Sequence, residues 1–147
     1  MAKSEHTVVI ETEEATLWSF LQEKGEWATL IPGYLHHEFP SKDEMIWVFK
    51  GDFGFIEKAV KVLLKETAVD ANKKIAFSLE GLSDNINGHG SFEMEPLADG
   101  QYKLVGTLDL AAGGFLGGMI NPVLEKFVPA TTTDLVDAMG KAVKQLA

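Results

Sequence analysis

Four histidines, a serine inside a Gly-Leu-Ser-Asp-Asn run and a concentration of glycines near residue 115 are where this chain could do chemistry. His36 and His37 are neighbours. On an extended strand, neighbours point to opposite faces, so these two cannot hold one ion together; a strand site needs alternate positions. His89 shares its strand face with Glu93 and Glu95, the face that reads as solvent, and His6 lies near the start of the chain. All four read as surface histidines rather than metal ligands or general bases. Serine hydrolysis needs a nucleophile with a base in reach. The run "GLSDN" (81–85) ends in Asn85 where a nucleophile elbow has glycine. It reads as a turn in which Asp84 and Asn85 bond their own backbone. Glu80 shares the face of Ser78, and Asp109 that of Lys103 and Thr107. These carboxylates read as solvated, while pairing between strands stays open because spatial neighbours are invisible in a sequence. No residue is assigned a catalytic or metal-binding role, and no cofactor is expected.

The stretch "AAGGFLGGMINP" (111–122) holds Gly113, Gly114, Gly117 and Gly118. A phosphate cradle needs a Gly-rich turn followed by Lys and Ser/Thr, or a strand–GxGxxG–helix unit. Here the next lysine is Lys126, and the preceding strand belongs to an antiparallel hairpin. A phosphate site is therefore not expected. The glycines read as a flexible connection carrying Phe115, Leu116, Met119 and Ile120. Those side chains either pack inward as a plug or form an apolar gate.

The composition narrows the partners. Twenty-two acids against 13 bases give a formal charge of −9 over 147 residues. Such a chain repels nucleic-acid phosphates, and its lysines (Lys58, Lys61, Lys65, Lys73, Lys74) alternate with apolar residues instead of forming a patch. The same deficit disfavours polybasic docking on anionic lipid but leaves apolar insertion open. There is no cysteine, which removes disulfides and thiolate chemistry. No signal-peptide core and no membrane-spanning run are read, so the expected location is cytoplasmic, with contact at the membrane periphery allowed.

These residues must be positioned by the following elements. "HTVVIE" (6–11) reads as a strand. "ETEEATLWSFLQEKG" reads as a helix, with Thr12 as N-cap and Gly25 at its end. "EWATLIPGY" reads as a short helix or turn broken at Pro32-Gly33. Strands follow at 35–39, 45–49, 60–67, 74–81, 86–95 and 101–110, joined by Asp/Asn/Gly turns. The stripe Leu124, Phe127, Val128, Leu135, Met139, Val143, Leu146 predicts a long C-terminal helix, with Asn121 as cap, Pro122 at its first position and a kink at Pro129. A curved antiparallel sheet around that helix gives every apolar face a partner.

Alternation places Gly88, Gly90 and Gly106 on the inner face, with Phe92 opposite Gly106 and Gly90 opposite Leu108. Strand glycines are costly. Either the helix packs close against them, or they mark bulges, or they shape a hollow for a ligand. On pattern alone the first two readings lead. Trp18 and Trp47 read as core, with Trp27 covering the sheet end. An aromatic lining would also suit a flat apolar ligand.

Together "LIPGY" (30–34), "GDFGFIEKAVKV" (51–62), "FSLEGLSDNINGHGSFEMEPLADG" (77–100) and "LDLAAGGFLGGMINPVLEKFVPA" (108–130) resemble the carbon monoxide dehydrogenase G-subunit family, within the SRPBCC (START/Bet v 1-like) superfamily. The resemblance implies one α+β helix-grip domain over 1–147: about seven antiparallel strands wrapped around a long C-terminal helix, with two short helices after the first strand. It also implies a hydrophobic cavity between sheet and helix, and favours the hollow reading of the glycines. Members bind lipids, sterols, quinone-like or polyketide molecules, and some are enzymes. The G-subunit family itself is associated with recruiting a molybdenum hydroxylase to the membrane. This chain stops at Ala147 without a membrane segment, which sets it apart from longer members.

The expected function is therefore non-catalytic binding of a hydrophobic small molecule. The candidate lining is Phe77, Leu79, Phe92, Tyr102 and Leu108 on the sheet. Phe115, Met119 and Ile120 are assigned to the gate, and Leu124, Phe127 and Val128 to the helix. A cyclase or hydratase using the same cavity would need polar residues facing inward, such as Tyr102 with a buried carboxylate or histidine. An accessory protein docking on a redox enzyme would need an exposed apolar patch, placed around Phe115 and Leu116.

Overall fold

The computed structural model describes residues 2–53, 57–114 and 117–146. The chain runs β1 (Ala2–Glu11), α1 (Glu14–Gln22), α2 (Lys24–Ala28), β2 (Tyr34–Ser41), β3 (Glu44–Asp52), β4 (Glu57–Asp70), β5 (Lys74–Gly81), β6 (Ile86–Ala98), β7 (Gln101–Ala112) and α3 (Gly117–Gln145). The seven strands form one antiparallel sheet in the order β1-β7-β6-β5-β4-β3-β2. The helix pair α1–α2 carries the chain from one sheet edge to the other, and α3 lies across the concave face. This is the helix-grip architecture expected from the sequence.

Alternation fixes which face of each strand is covered. Met45, Trp47 and Phe49 on β3, Val60, Val62 and Leu64 on β4, and Ile75, Phe77 and Leu79 on β5 are buried, while the residues between them are more exposed. The helix answers with Leu124, Val128, Leu135, Val136, Met139 and Val143. Burying each such side chain contributes about 1.5–3 kcal/mol. Turn chemistry matches the register: Asp99-Gly100 closes β6–β7 with Gly100 at φ 71°, and Asn72 takes φ 61° between β4 and β5.

Several expected boundaries move. Thr12 does not cap α1: Glu13 occupies that position, and the buried Thr12 hydroxyl has no partner among the described residues. Gly25 lies inside α2, because the break between the helices falls at Glu23. α3 starts at Gly117, so Asn121 and Pro122 lie within it. Asn121 does other work. Its amide oxygen accepts from the Ala112 N–H (2.8 Å), and its amide nitrogen donates to the Ala112 carbonyl (3.0 Å). The side chain thereby fastens the first turns of α3 to the end of β7. Leu146, counted in the apolar stripe, is 58% exposed just past the helix end.

α3 packs chiefly on β1 and β7. At Gly140 an added Cβ would lie 3.2 Å from Val8 Cγ2, so helix and β1 nearly touch. His6 on β1 meets Asp137 on the helix at 2.8 Å. On β7 the approach is tighter: a Cβ on Gly106 would fall 2.3 Å from Val136 Cγ2. The other end of the helix pair is anchored by the buried Lys24, whose ammonium pairs with Glu66 on β4 and reaches the Lys42 carbonyl at 3.3 Å. Among the described residues, no helix is long and apolar enough to cross a membrane.

Gly106→Ala therefore inserts a methyl group into occupied space. It is expected to lower stability by about 1–3 kcal/mol, read by urea unfolding. Adding Val136→Ala removes the obstructing methyls, so the double variant should lose less than the sum of the single losses. Strictly additive losses would show that the helix is not seated on this glycine.

Candidate functional site

The space between α3 and the strands is shaped by that asymmetric seating. Where the helix touches β1 and β7, backbones come close. Where β3, β4 and β5 curve away, large side chains bridge the gap. Trp27 of α2 is fully buried and packs against three other rings. Its ring meets Trp47 edge-on at 5.5 Å, stacks on Phe77 at 6.0 Å and meets Phe92 at 5.0 Å. Both indole N–H groups are satisfied: Trp27 donates to the Leu21 carbonyl at 3.0 Å, and Trp47 to that of Ala28 at 2.9 Å. The aromatic layer is thus locked to the backbone and free of polar demands.

Beside this layer lies an apolar cavity of about 50 Å³, lined from the sheet by Trp47, Phe49, Val62, Phe77, Leu79 and their neighbours and from the helix by Leu124, Phe127, Thr131 and Leu135. A void of that size exceeds the space one water occupies. Apart from Thr107, Thr131 and Thr132, the described lining is apolar or aromatic. Among the described residues, no acid, base or phenol faces in. Thr132 already donates its hydroxyl to the Val128 carbonyl at 2.7 Å.

One wall is thin. Phe53, at the end of β3, and Phe127 pack at 4.9 Å between ring centres, and Phe127 stacks on Phe49 at 6.4 Å. Beyond Phe53 and Phe127 runs an open groove of about 780 Å³, bordered by Lys50, Asp52, Lys126 and Asp134. Phe53, Phe127 and Thr131 line both spaces.

Of the candidate lining residues, Phe77, Leu79, Phe92, Leu108, Leu124 and Phe127 come together on the cavity wall. Val128 is fully buried but off that wall, and Ile120 is half-buried against the core. Met119 points outward at 68% exposure. Tyr102 stands at the far end of β7, where its hydroxyl reaches Glu14 at 3.4 Å. Lost hydration, and then the Glu14 carboxylate, push its phenol above the ordinary tyrosine range. It is no partner for a molecule in the cavity. Phe115 and Leu116 lie outside the described residues. Phe53, Trp47, Phe49, Val60 and Val62 also form the wall, although none is among the expected lining. The alternation of 45–49 and 60–64 marks the last four; Phe53 follows its strand and carries no such signal.

The inner-face glycines are filled rather than hollow. Val136 occupies the space over Gly106. Phe77 covers Gly90, whose added Cβ would lie 2.8 Å from that ring, and Gly88 would strike the Asp109 carbonyl at 1.8 Å. Gly106 nevertheless borders the cavity, beside the Val136 that covers it. Other candidates for chemistry are also accounted for. His36 and His37 do point apart; His37 shares a 2.7 Å hydrogen bond with Tyr34, and His36 lies 3.2 Å from Glu38. Asp109 is not solvated: it is 6% exposed, one oxygen 3.7 Å from His89 and the other without a partner among the described residues. Among the described residues, no group of three His, Asp or Glu is placed to hold a metal ion.

Comparison with known structures agrees with this geometry. A START superfamily protein from Mycobacterium smegmatis superposes with a TM-score of 0.79 at 16% identity, covering 100% of both chains. A conserved protein from Geobacillus kaustophilus gives 0.81 at 14% identity over 97% of this chain and 95% of its own. An aromatase/cyclase from a Streptomyces species gives 0.71 at 17% identity over 99% and 95%. The chain has the START-like helix-grip fold. No family model matches its sequence, and no curated protein does.

Filling a dry void should stabilise the protein. Val62→Ile adds one methylene to the lining and is expected to add about 0.5–1 kcal/mol, seen as a higher urea midpoint at unchanged slope. A lower midpoint would show that Val62 already meets packed atoms.

Proposed function

We propose that this protein binds a hydrophobic small molecule, lipid-like or quinone-like, between the concave sheet and α3, without transforming it. The observation that carries this reading is the cavity wall: apolar and aromatic apart from three threonines, with no titratable side chain among its described residues. Proton transfer needs an acid or base within hydrogen-bond reach of the reacting atom. Desolvation of an apolar ligand needs none, and supplies about 25 cal/mol for each Å² of apolar surface buried.

Ligand pockets for small molecules run to about 300–1,000 Å³. The void of about 50 Å³ is smaller than that, so the proposal requires the site to open for its ligand. Displacing Phe127 from Phe53 joins it to the outer groove, and the combined space reaches ligand size. Uptake thus involves rearrangement of the aromatic wall, and the ligand-free protein keeps its interior dry. The START-like fold supports this reading. A cyclase-like reaction finds no support in the lining. The resemblance to the carbon monoxide dehydrogenase G-subunit family adds a docking role beside a redox enzyme to the proposal; co-purification of a stoichiometric partner reads that part separately.

Organic extraction of the protein purified from cells, followed by mass spectrometry, is expected to release an apolar compound in near-stoichiometric amount. Re-addition of that compound to stripped protein should raise Tm. Protein that emerges empty, and whose Tm responds to no lipid or quinone, would sink the proposal.

A further inference from the structure

We infer that Thr131 selects the ligand: the bound molecule carries an uncharged oxygen, a hydroxyl or carbonyl, at the end of an otherwise apolar body, and that oxygen hydrogen-bonds the Thr131 side chain. The inference rests on the proposed binding function and adds the chemical class.

The two adjacent threonines of α3 behave differently. Both are buried, Thr131 at 6% and Thr132 at 3% exposure. Thr132 turns its hydroxyl back onto the Val128 carbonyl, the usual way a helical threonine satisfies itself. Thr131 does not: its hydroxyl takes part in no hydrogen bond among the described residues, and it is not one of the sealed orphan atoms, which are those of Thr12 and Asp109. Thr131 instead lines both the inner cavity and the outer groove. It is the polar residue shared by the two spaces, beside the Phe53–Phe127 wall. Because it is not sealed, the Thr131 hydroxyl stays reachable, and a ligand oxygen can take the place of water on it.

The charges around the groove argue for a neutral oxygen. Lys50 and Lys126 are balanced by Asp52 and Asp134, and Lys50 is already 3.3 Å from Glu57. An anionic head would gain an ammonium and meet a carboxylate. A neutral oxygen at the junction meets neither cost. The apolar body then occupies the aromatic cavity, with its polar end at the groove.

Three probes of one shape decide this: naphthalene, 2-naphthol and 2-naphthoate, titrated against the full chain by calorimetry. Hydrophobicity alone ranks naphthalene ahead of 2-naphthol. The expected order is the reverse, with 2-naphthol the tightest of the three. Thr131→Val keeps the shape and removes the hydroxyl; 2-naphthol should weaken by about three- to tenfold while naphthalene is unchanged. Thr131→Ser should retain the preference, which separates hydrogen bonding from packing. Naphthalene binding as tightly as 2-naphthol, or Thr131→Val weakening both alike, overturns the assignment and leaves the binding function standing. Tightest binding of 2-naphthoate overturns it too, in favour of an anion read by the lysines. Failure of all three probes to bind overturns the assignment and leaves the binding function to its own extraction test.

Discussion

The seating of α3 on β1 and β7 governs the rest of the molecule. Val136 occupies the position a Cβ of Gly106 would take, and Gly140 faces Val8 closely enough that even a methyl would crowd it. Contact of this kind needs glycine on at least one partner, because side chains otherwise hold a helix away from a sheet by their own length. Once the helix is held at one side of a twisted, curved sheet, the opposite side cannot be equally close. β3, β4 and β5 fall away from it, and only large rings span the distance. The aromatic layer of Trp27, Trp47, Phe77 and Phe92 and the small void beside it are consequences of that asymmetry.

The same asymmetry separates the close-packed side of the helix from the side facing the cavity. Along β1 and β7 the helix is fixed by close packing, by His6–Asp137 and by the Asn121 clasp on Ala112. Over β3–β5 it is held by Phe127 against Phe49 and Phe53, contacts between rings that can rotate without breaking a hydrogen bond. On the proposed reading, the part that would move for a guest is not the part that holds the fold. A dry, apolar interior adjoining a groove with balanced charges suits a molecule that is mostly oily and polar at one end.

The inner-face glycines mark how far local pattern reaches. Alternation places Gly88, Gly90 and Gly106 on the inner face, and the β6–β7 register, Phe92 with Gly106 and Gly90 with Leu108, follows from the Asp99-Gly100 turn. What a missing side chain leaves behind depends on what moves in, and that is a property of elements distant in the chain. Val136 lies 30 residues beyond Gly106; nothing local to either announces their contact. Asp109 is a second case. Its face was legible, but its burial was not, because neighbouring strands supply the atoms that cover it.

By itself the sequence determined the strand alternation, the turn positions, the long apolar helix and the order of elements, because periodicity and turn chemistry are local properties of the chain. It thereby pointed to a curved antiparallel sheet around one long helix, which the family resemblance identified as helix-grip. Tertiary structure alone decided that the glycines are contacts and not a hollow, that Tyr102 and Met119 lie away from the cavity while Phe53 and Thr131 border it, and that Asn121 binds a strand instead of capping a helix. Each of those outcomes depends on the distance between segments far apart in sequence. That distance is set by the curvature of the whole sheet, which no single stretch of residues encodes.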